Sequence, residues 1–211
     1  MTGTAINRRF LFIGATGVLA SVAMPRWAAA LPSVDEVAHD PAIPALANPQ
    51  GDVTIVEIVD YQCPYCKLCY LEIMKLVAED RGIRLVMKDW PVFGPPSEFA
   101  ARALLASTDN LNYAQAVDAL MRNERKLSKR RAQGLLEDAG IDTATLAERM
   151  DVRKPAIDLV LARNASHAVD FKLAGTPALL VGGVLYRHGL PLSDLKQAVA
   201  VARASPDVSA T

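Results

Sequence analysis

Three cysteines, Cys63, Cys66 and Cys69, lie within one stretch of seven residues, and the first two frame Cys63-Pro64-Tyr65-Cys66. A C-x-x-C pair can exchange disulfides, hold a metal or staple a loop. Exchange needs an ionised sulfur, because the thiolate is the nucleophile. The start of a helix is the favourable place to ionise one, since free N–H groups and a partial positive charge collect there. A staple across so short a loop removes little entropy from the unfolded chain. A closed zinc site wants four ligands, and neither a second C-x-x-C nor a His pair stands near this one. His39, His167 and His188 are scattered and share no ligand spacing. Redox exchange is the chemistry these residues fit.

The elements needed to position the pair can be read on both sides of it. Val53-Thr54-Ile55-Val56-Glu57-Ile58-Val59 is β-branched and almost continuously apolar, which predicts a strand buried on both faces in the middle of a sheet. Asp60-Tyr61-Gln62 leaves that strand. Pro64 suits the first turn of a helix, where its missing N–H would be unpaired anyway. That helix is predicted to run to about Asp80 and to be ended by Gly82, with a second strand over Ile83 to Lys88. A β-α-β order implies parallel pairing with a right-handed crossover. Pro91 to Pro96 breaks the pattern. Helices are then predicted from an N-cap at Ser97 to about Asn123 with an interruption near 107–112, from Ser128 to Ala139, from Thr143 to Met150, and from Pro155 to about Phe171. Pro177 to Val181 and Val184 to Tyr186 read as a hairpin around Gly182-Gly183. A last helix is expected over Leu192 to Ala204.

Beyond the pair, composition bounds the function. The 211 residues are 51% hydrophobic with 23 basic and 23 acidic side chains. One packed domain fits that length, and without a basic excess nucleic acid is not an expected partner. Residues 1–30 carry Arg8, Arg9 and Arg26 and no acid, an apolar run from Phe10 to Met24, and small residues before Leu31. They read as a signal peptide, with Arg8-Arg9-Phe10-Leu11-Phe12 leaving Sec and twin-arginine export both open. Its removal would leave a mildly acidic chain in a compartment where disulfides persist. Residues 31–50 read as an extended lead-in, 51–204 as the domain, with a helical insertion over about 97–155, and 205–211 as a flexible tail.

In Val56-Glu57, Asp60 to Lys67, the Pro91-to-Ser97 segment and Gly175-Thr176-Pro177-Ala178, the chain resembles the DsbA-like branch of the thioredoxin superfamily, over about Asp40 to Ala204. The resemblance implies an α/β thioredoxin-like fold with a helical insertion between the second strand and the cis-Pro hairpin. It implies a periplasmic thiol–disulfide oxidoreductase, with Cys63 as the exposed nucleophile and Cys66 as the buried resolving thiol. Pro177 would be cis and face the disulfide. Thr176 would offer backbone groups to an extended substrate, and Tyr65 would border it. Glu57 would be the acid/base near Cys66, and a desolvated carboxyl does have the raised pKa such a role requires. A solvated place at a sheet edge is the competing reading of Glu57. No organic cofactor is called for, because the cysteine pair is itself the redox group. Implied partners are exported protein thiols or disulfides and a membrane redox partner that resets the pair, with the chain a monomer.

Where the strongest oxidases of that branch carry His, this chain has Tyr65, which supplies no positive charge. A Cys63 pKa between about 3.5 and about 7 is therefore expected, with a less oxidising disulfide. Thr176 also occurs before the cis proline in disulfide isomerases, so a reductase or isomerase kept reduced is a competing function. Cys69 reads as a small packing residue, a second resolving thiol, or a third ligand for Cu(I), as in a copper-tolerance protein using the same cysteines.

Overall fold

The computed structural model describes residues 32–108 and 112–205. The expected signal peptide lies outside the described residues, as does nearly all of the expected tail. The described part is α/β, with a four-stranded mixed sheet in the order β2-β1-β3-β4.

The first strand, β1 (Val53–Val59), runs down the middle of the sheet. It pairs in parallel with β2 (Ile83–Asp89) and antiparallel with β3 (Ala178–Val181). Both edges of β1 are therefore paired, and six of its seven residues are buried, so both faces are covered as well, which is why its sequence is so evenly apolar. Between β1 and β2 the chain crosses over through the redox helix α2 (Pro64–Glu79). β3 turns back into β4 (Val184–Tyr186) through Gly182 and Gly183, with φ of 50° and 92°. A two-residue hairpin turn of this hand needs positive φ at both positions, and glycine takes it without a Cβ clash. The last helix, α8 (Leu192–Ala204), packs against α2, β1 and β3.

Two readings of the sequence need correction. The lead-in is not simply extended, because it contains a short helix, α1 (Val34–Ala38). Ser33 Oγ caps it by accepting from Glu36 N at 3.1 Å, an S-x-x-E start hidden in a Pro- and Ala-rich stretch. The same segment then docks on the outer strand, where Leu46 N donates to Leu85 O at 2.7 Å and Arg84 Nη1 donates to Ala38 O at 2.6 Å. Asp40, which follows α1, is buried against Lys88 at 3.5 Å and Arg163 at 2.5 Å.

The helical insertion, too, starts earlier and runs further than 97–155. Its first helix, α3, spans Pro95–Leu105 with Gly94 as N-cap, not Ser97. Both prolines fit the first turn, where no N–H is needed, so they begin the helix they seemed to forbid. It continues through α4 (Tyr113–Met121), α5 (Lys129–Asp138), α6 (Leu146–Val152) and α7 (Lys154–Asp170), the last packing on β2. α6 starts three residues later than Thr143, because residues 143–145 form a turn.

Ile55 is fully buried at the centre of β1. Ile55→Ala should lower the unfolding free energy by about 2–5 kcal/mol, measured by denaturant titration. A loss below about 1 kcal/mol would contradict a core centred on this strand.

Candidate active site

Cys63 occupies the N-cap of α2, with φ of −68° and ψ of 115°, and Pro64 opens the first turn. The Cys66 backbone N–H points back at Cys63 Sγ, 3.4 Å away. On the other side, the Thr176 carbonyl oxygen lies 3.2 Å from Cys63 Sγ and accepts from it in the thiol form. The Thr176–Pro177 peptide bond is cis. Two segments more than a hundred residues apart in sequence thus meet at one sulfur.

The aim of that sulfur depends on Asp60, which ends β1. Its Oδ1 accepts from Gln62 N at 2.7 Å and from Ser97 Oγ at 2.6 Å. Its Oδ2 accepts from Val92 N at 2.7 Å and Phe93 N at 2.9 Å. Gln62 Nε2 adds bonds to Phe93 O and Ser97 Oγ. One buried carboxylate therefore ties the loop before Cys63 to the loop after β2 and to the first turn of α3. Lys67 extends the tether, because its Nζ donates to the Asn123 carbonyl just past α4. The sequence reading missed Asp60 in this role. The available signal was an acid placed directly after a buried strand and before the cysteines.

The two redox sulfurs are held in opposite electrostatic states. The Cys63 pKa is lowered to about 6, chiefly by a hydrogen bond from the Cys66 thiol, which overcomes desolvation. The backbone N–H groups of the first turn add to the lowering. Burial pushes the Cys66 thiol far up, with its bond to Cys63 and the nearby Glu57 adding to the rise. At neutral pH, Cys63 is largely thiolate and Cys66 is a thiol. The Cys63 value lies inside the expected interval.

Exposure is the feature that differs from expectation. Cys63 is only 1% exposed, because Thr176 covers the sulfur, and the exposed residues here are Pro64, Tyr65 and Leu68. Glu57 is fully buried on β1 and both carboxyl oxygens lack a direct partner. Burial raises its pKa well above the carboxylate range, and the Cys63 charge raises it further. The solvated-edge reading of Glu57 is thereby removed. Thr176 Oγ1 is also buried without a direct partner.

A groove of about 650 Å³ opens beside Pro177, between Tyr65, Leu68 and Cys69 on one wall and Lys172, Arg187 and Pro191 on the other. Cys69 is 4% exposed, and burial raises its pKa to about 12. A thiol so hard to ionise is a poor nucleophile. Among the described residues, no three His, Cys, Asp or Glu side chains are grouped to hold a metal ion.

Residues 41–200 match the model of the thioredoxin family. A thioredoxin-like oxidoreductase from Silicibacter pomeroyi DSS-3 is 35% identical, with a TM-score of 0.77, over 82% of this chain and 99% of that one. A periplasmic thioredoxin-like protein from Salmonella enterica serovar Typhimurium is 25% identical, with a TM-score of 0.72, over 81% of this chain and 95% of that one. Na(+)/H(+) antiporter NhaA 1 of Salinispora arenicola is 27% identical over 152 residues, which are 71% of this chain and 23% of that protein. This chain spans about a quarter of the length of the curated relatives it matches. Among the described residues, no helix is long and apolar enough to cross a membrane.

In the reduced protein, thiolate absorbance in the far ultraviolet should rise with a midpoint near pH 6. Cys63→Ser should abolish that rise, and Cys66→Ala should move it up by about one pH unit. An unmoved midpoint in Cys66→Ala would show that the helix terminus alone holds the charge. An unfolded thiol titrates near about 8.5. The depressed pKa therefore adds no stability below pH 6, adds progressively more up to about 8.5, and adds its full share above. Asp60→Ala should cost about 2 kcal/mol or more in denaturant unfolding, because the amide N–H groups it held lose a charged acceptor.

Proposed function

Because the chain belongs to the thioredoxin family, we propose that it exchanges disulfides with exported proteins through Cys63 and Cys66, in the oxidising direction. The observation that carries this reading is the placement of Cys63 Sγ at the N-cap of α2, 3.2 Å from the carbonyl that precedes Pro177.

In the oxidised protein, a substrate thiolate attacks Cys63 Sγ. The Cys63–Cys66 bond breaks as the mixed disulfide forms. Cys66 leaves as a thiolate and, with so high a pKa, takes up a proton at once. Glu57, buried beside it with its pKa raised well above the carboxylate range, would give that proton. A second substrate thiolate then attacks the substrate sulfur of the mixed disulfide, and Cys63 leaves as a stable thiolate. Every donor that stabilises this thiolate lowers the free energy of the reduced pair, and so makes the disulfide a better oxidant. Thr176 and the groove wall at Tyr65 would hold an extended substrate strand against Cys63, whose sulfur is freed as the strand takes the Thr176 carbonyl.

The working place is outside the bacterial cytoplasm. The support is the character of residues 1–30 and the periplasmic setting of the Salmonella protein. A reductase or isomerase would use the same sulfurs but would be kept reduced by its partner. A membrane redox protein would reset the pair.

Oxidative refolding of a reduced substrate protein tests the assignment. The wild type should accelerate it, Cys63→Ser should abolish the effect, and Cys66→Ala should accumulate mixed disulfides on Cys63. Cys69→Ala should refold the substrate as the wild type does. Alkylation trapping in cells then decides the direction of flow. A mostly oxidised pair is expected, and a mostly reduced pair would overturn the oxidase reading in favour of the reductase or isomerase.

A further inference from the structure

The charges of this chain are unevenly placed. Residues 31–211 hold 20 basic and 23 acidic side chains, yet residues 122–131 alone hold six of the bases against one acid, Glu124. That segment joins α4 to α5 and supplies the first turn of α5. Arg122 is paired with Asp118, its Nε donating to both carboxylate oxygens at 2.8 Å. Arg125, Lys126, Lys129 and Arg130 are exposed, and none of the four makes an ion pair among the described residues. Besides Glu124, the acid beside them is Asp138, which lines a small cavity with Arg130 and Arg131. Four unpaired cations on one short segment make a local positive field on a chain that is otherwise acidic.

That field is held at the redox site by two routes. Asn123 is 4% exposed. Its carbonyl accepts from Lys67 Nζ, its Oδ1 accepts from Arg131 Nε at 2.7 Å, and its Nδ2 donates to the Arg125 carbonyl at 2.6 Å. Lys67 stands one turn after Cys63, whose carbonyl accepts its backbone N–H at 3.2 Å, and it feels the charges of Cys63 and Arg131 alike. The second route runs through α3. Lys129 Nζ lies 5.3 Å from the centre of the Phe99 ring. Phe99 comes two residues after Ser97, which accepts from Gln62 beside Cys63. Val92 and Phe93, exposed on the loop that Gln62 holds, add apolar surface on the same side. Across the sulfur, the groove beside Pro177 carries Lys172 and Arg187, and its one acid, Glu72, is paired with Lys75.

We propose that Arg125, Lys126, Lys129 and Arg130 form a docking surface for acidic polypeptide, so that the exported chains exchanged fastest carry aspartate or glutamate beside the reacting cysteine. The surface acts on encounter and not on the sulfurs. It draws an acidic segment in from solution and raises its concentration next to Cys63. Val92 and Phe93 give that segment an apolar place to rest. A lipid surface drawn to the same cations would lie across the opening and shut exported thiols out, so polypeptide is the occupant that suits the place. The inference rests on the reading of Cys63 and Cys66 as the exchanging sulfurs, and names the class of substrate they serve.

The test measures reduction of the Cys63–Cys66 disulfide by two cysteine peptides, one flanked by glutamates and one by lysines, and by 2-mercaptoethanol. Each thiolate attacks Cys63, Cys66 leaves, and a second thiolate releases Cys63. As salt is raised, the glutamate-peptide rate should fall about tenfold or more and the lysine-peptide rate should rise. Net charge alone, mildly negative over residues 31–211, predicts the opposite slopes. In a variant carrying Arg125→Gln, Lys126→Gln, Lys129→Gln and Arg130→Gln, the ratio of the glutamate-peptide rate to the 2-mercaptoethanol rate should drop by about tenfold at low salt. An unchanged ratio overturns the proposal. If the variant does not fold, the wild-type slopes decide, and slopes of one sign for both peptides overturn it. Wild-type protein that sediments with phosphatidylglycerol vesicles and does not discriminate between the peptides would overturn it in favour of a lipid surface. A dye-labelled glutamate peptide with serine in place of its cysteine, followed by anisotropy, separates docking from exchange. Binding without exchange would sink the functional reading and leave the surface standing, and exchange without charge preference would do the reverse.

Discussion

A sulfur that must stay ionised while shut away from water needs donors already in place, and the arrangement around Cys63 follows from that need. Cys63 is only 1% exposed, and the Thr176 carbonyl lies against its sulfur. The first turn of α2 supplies its backbone N–H groups, and the Cys66 thiol supplies the largest single contribution. The two cysteines are therefore unequal by construction. One keeps its charge because the other keeps its proton. Losing either half of that arrangement would blur which sulfur meets the substrate and which waits behind it.

Holding such a geometry requires that the helix start be fixed to the rest of the molecule. The central strand does this from below, and Asp60 does it from the side. Asp60 reaches the loop after β2 and the first turn of α3 at once, so the insertion is joined to the redox loop and does not merely sit over it. A carboxylate in that position can accept from several N–H groups together, which an amide or hydroxyl could not do as fully. The cost is a charged group in a nearly sealed place, offset by the number and quality of the bonds it collects.

Much of this was legible in the sequence where neighbours along the chain carry the signal. The β-branched run Val53 to Val59, the Cys-Pro-Tyr-Cys turn, the Gly182-Gly183 hairpin and the final helix are all local patterns, and they stand close to where the reading puts them. Contacts between distant residues were not legible. The four bonds of Asp60 join it to positions up to 37 residues away, and nothing in its neighbourhood names them. Pro95 and Pro96 misled because proline both breaks helices and begins them, and only the Gly94 turn decides between the two. Cys63 was expected to be open to solvent because the resemblance implied an exposed nucleophile, and its contact with the carbonyl of a threonine more than a hundred residues later could not be seen in advance.

The contact between Gly189 and the third cysteine carries one further consequence. A Cβ at Gly189 would sit 3.2 Å from Cys69 Sγ and 3.3 Å from Pro177 Cγ. The proline loop and the redox helix approach each other there with only a hydrogen atom's allowance. Their separation is set by the bare backbone on one side and a compact sulfur on the other. Any bulk introduced at that seam would act as a wedge, opening the gap across which Cys63 and Thr176 now touch. Cys69 thus bounds the seam from the helix side, and it is added bulk at Gly189, not the loss of a sulfur, that the seam would not tolerate.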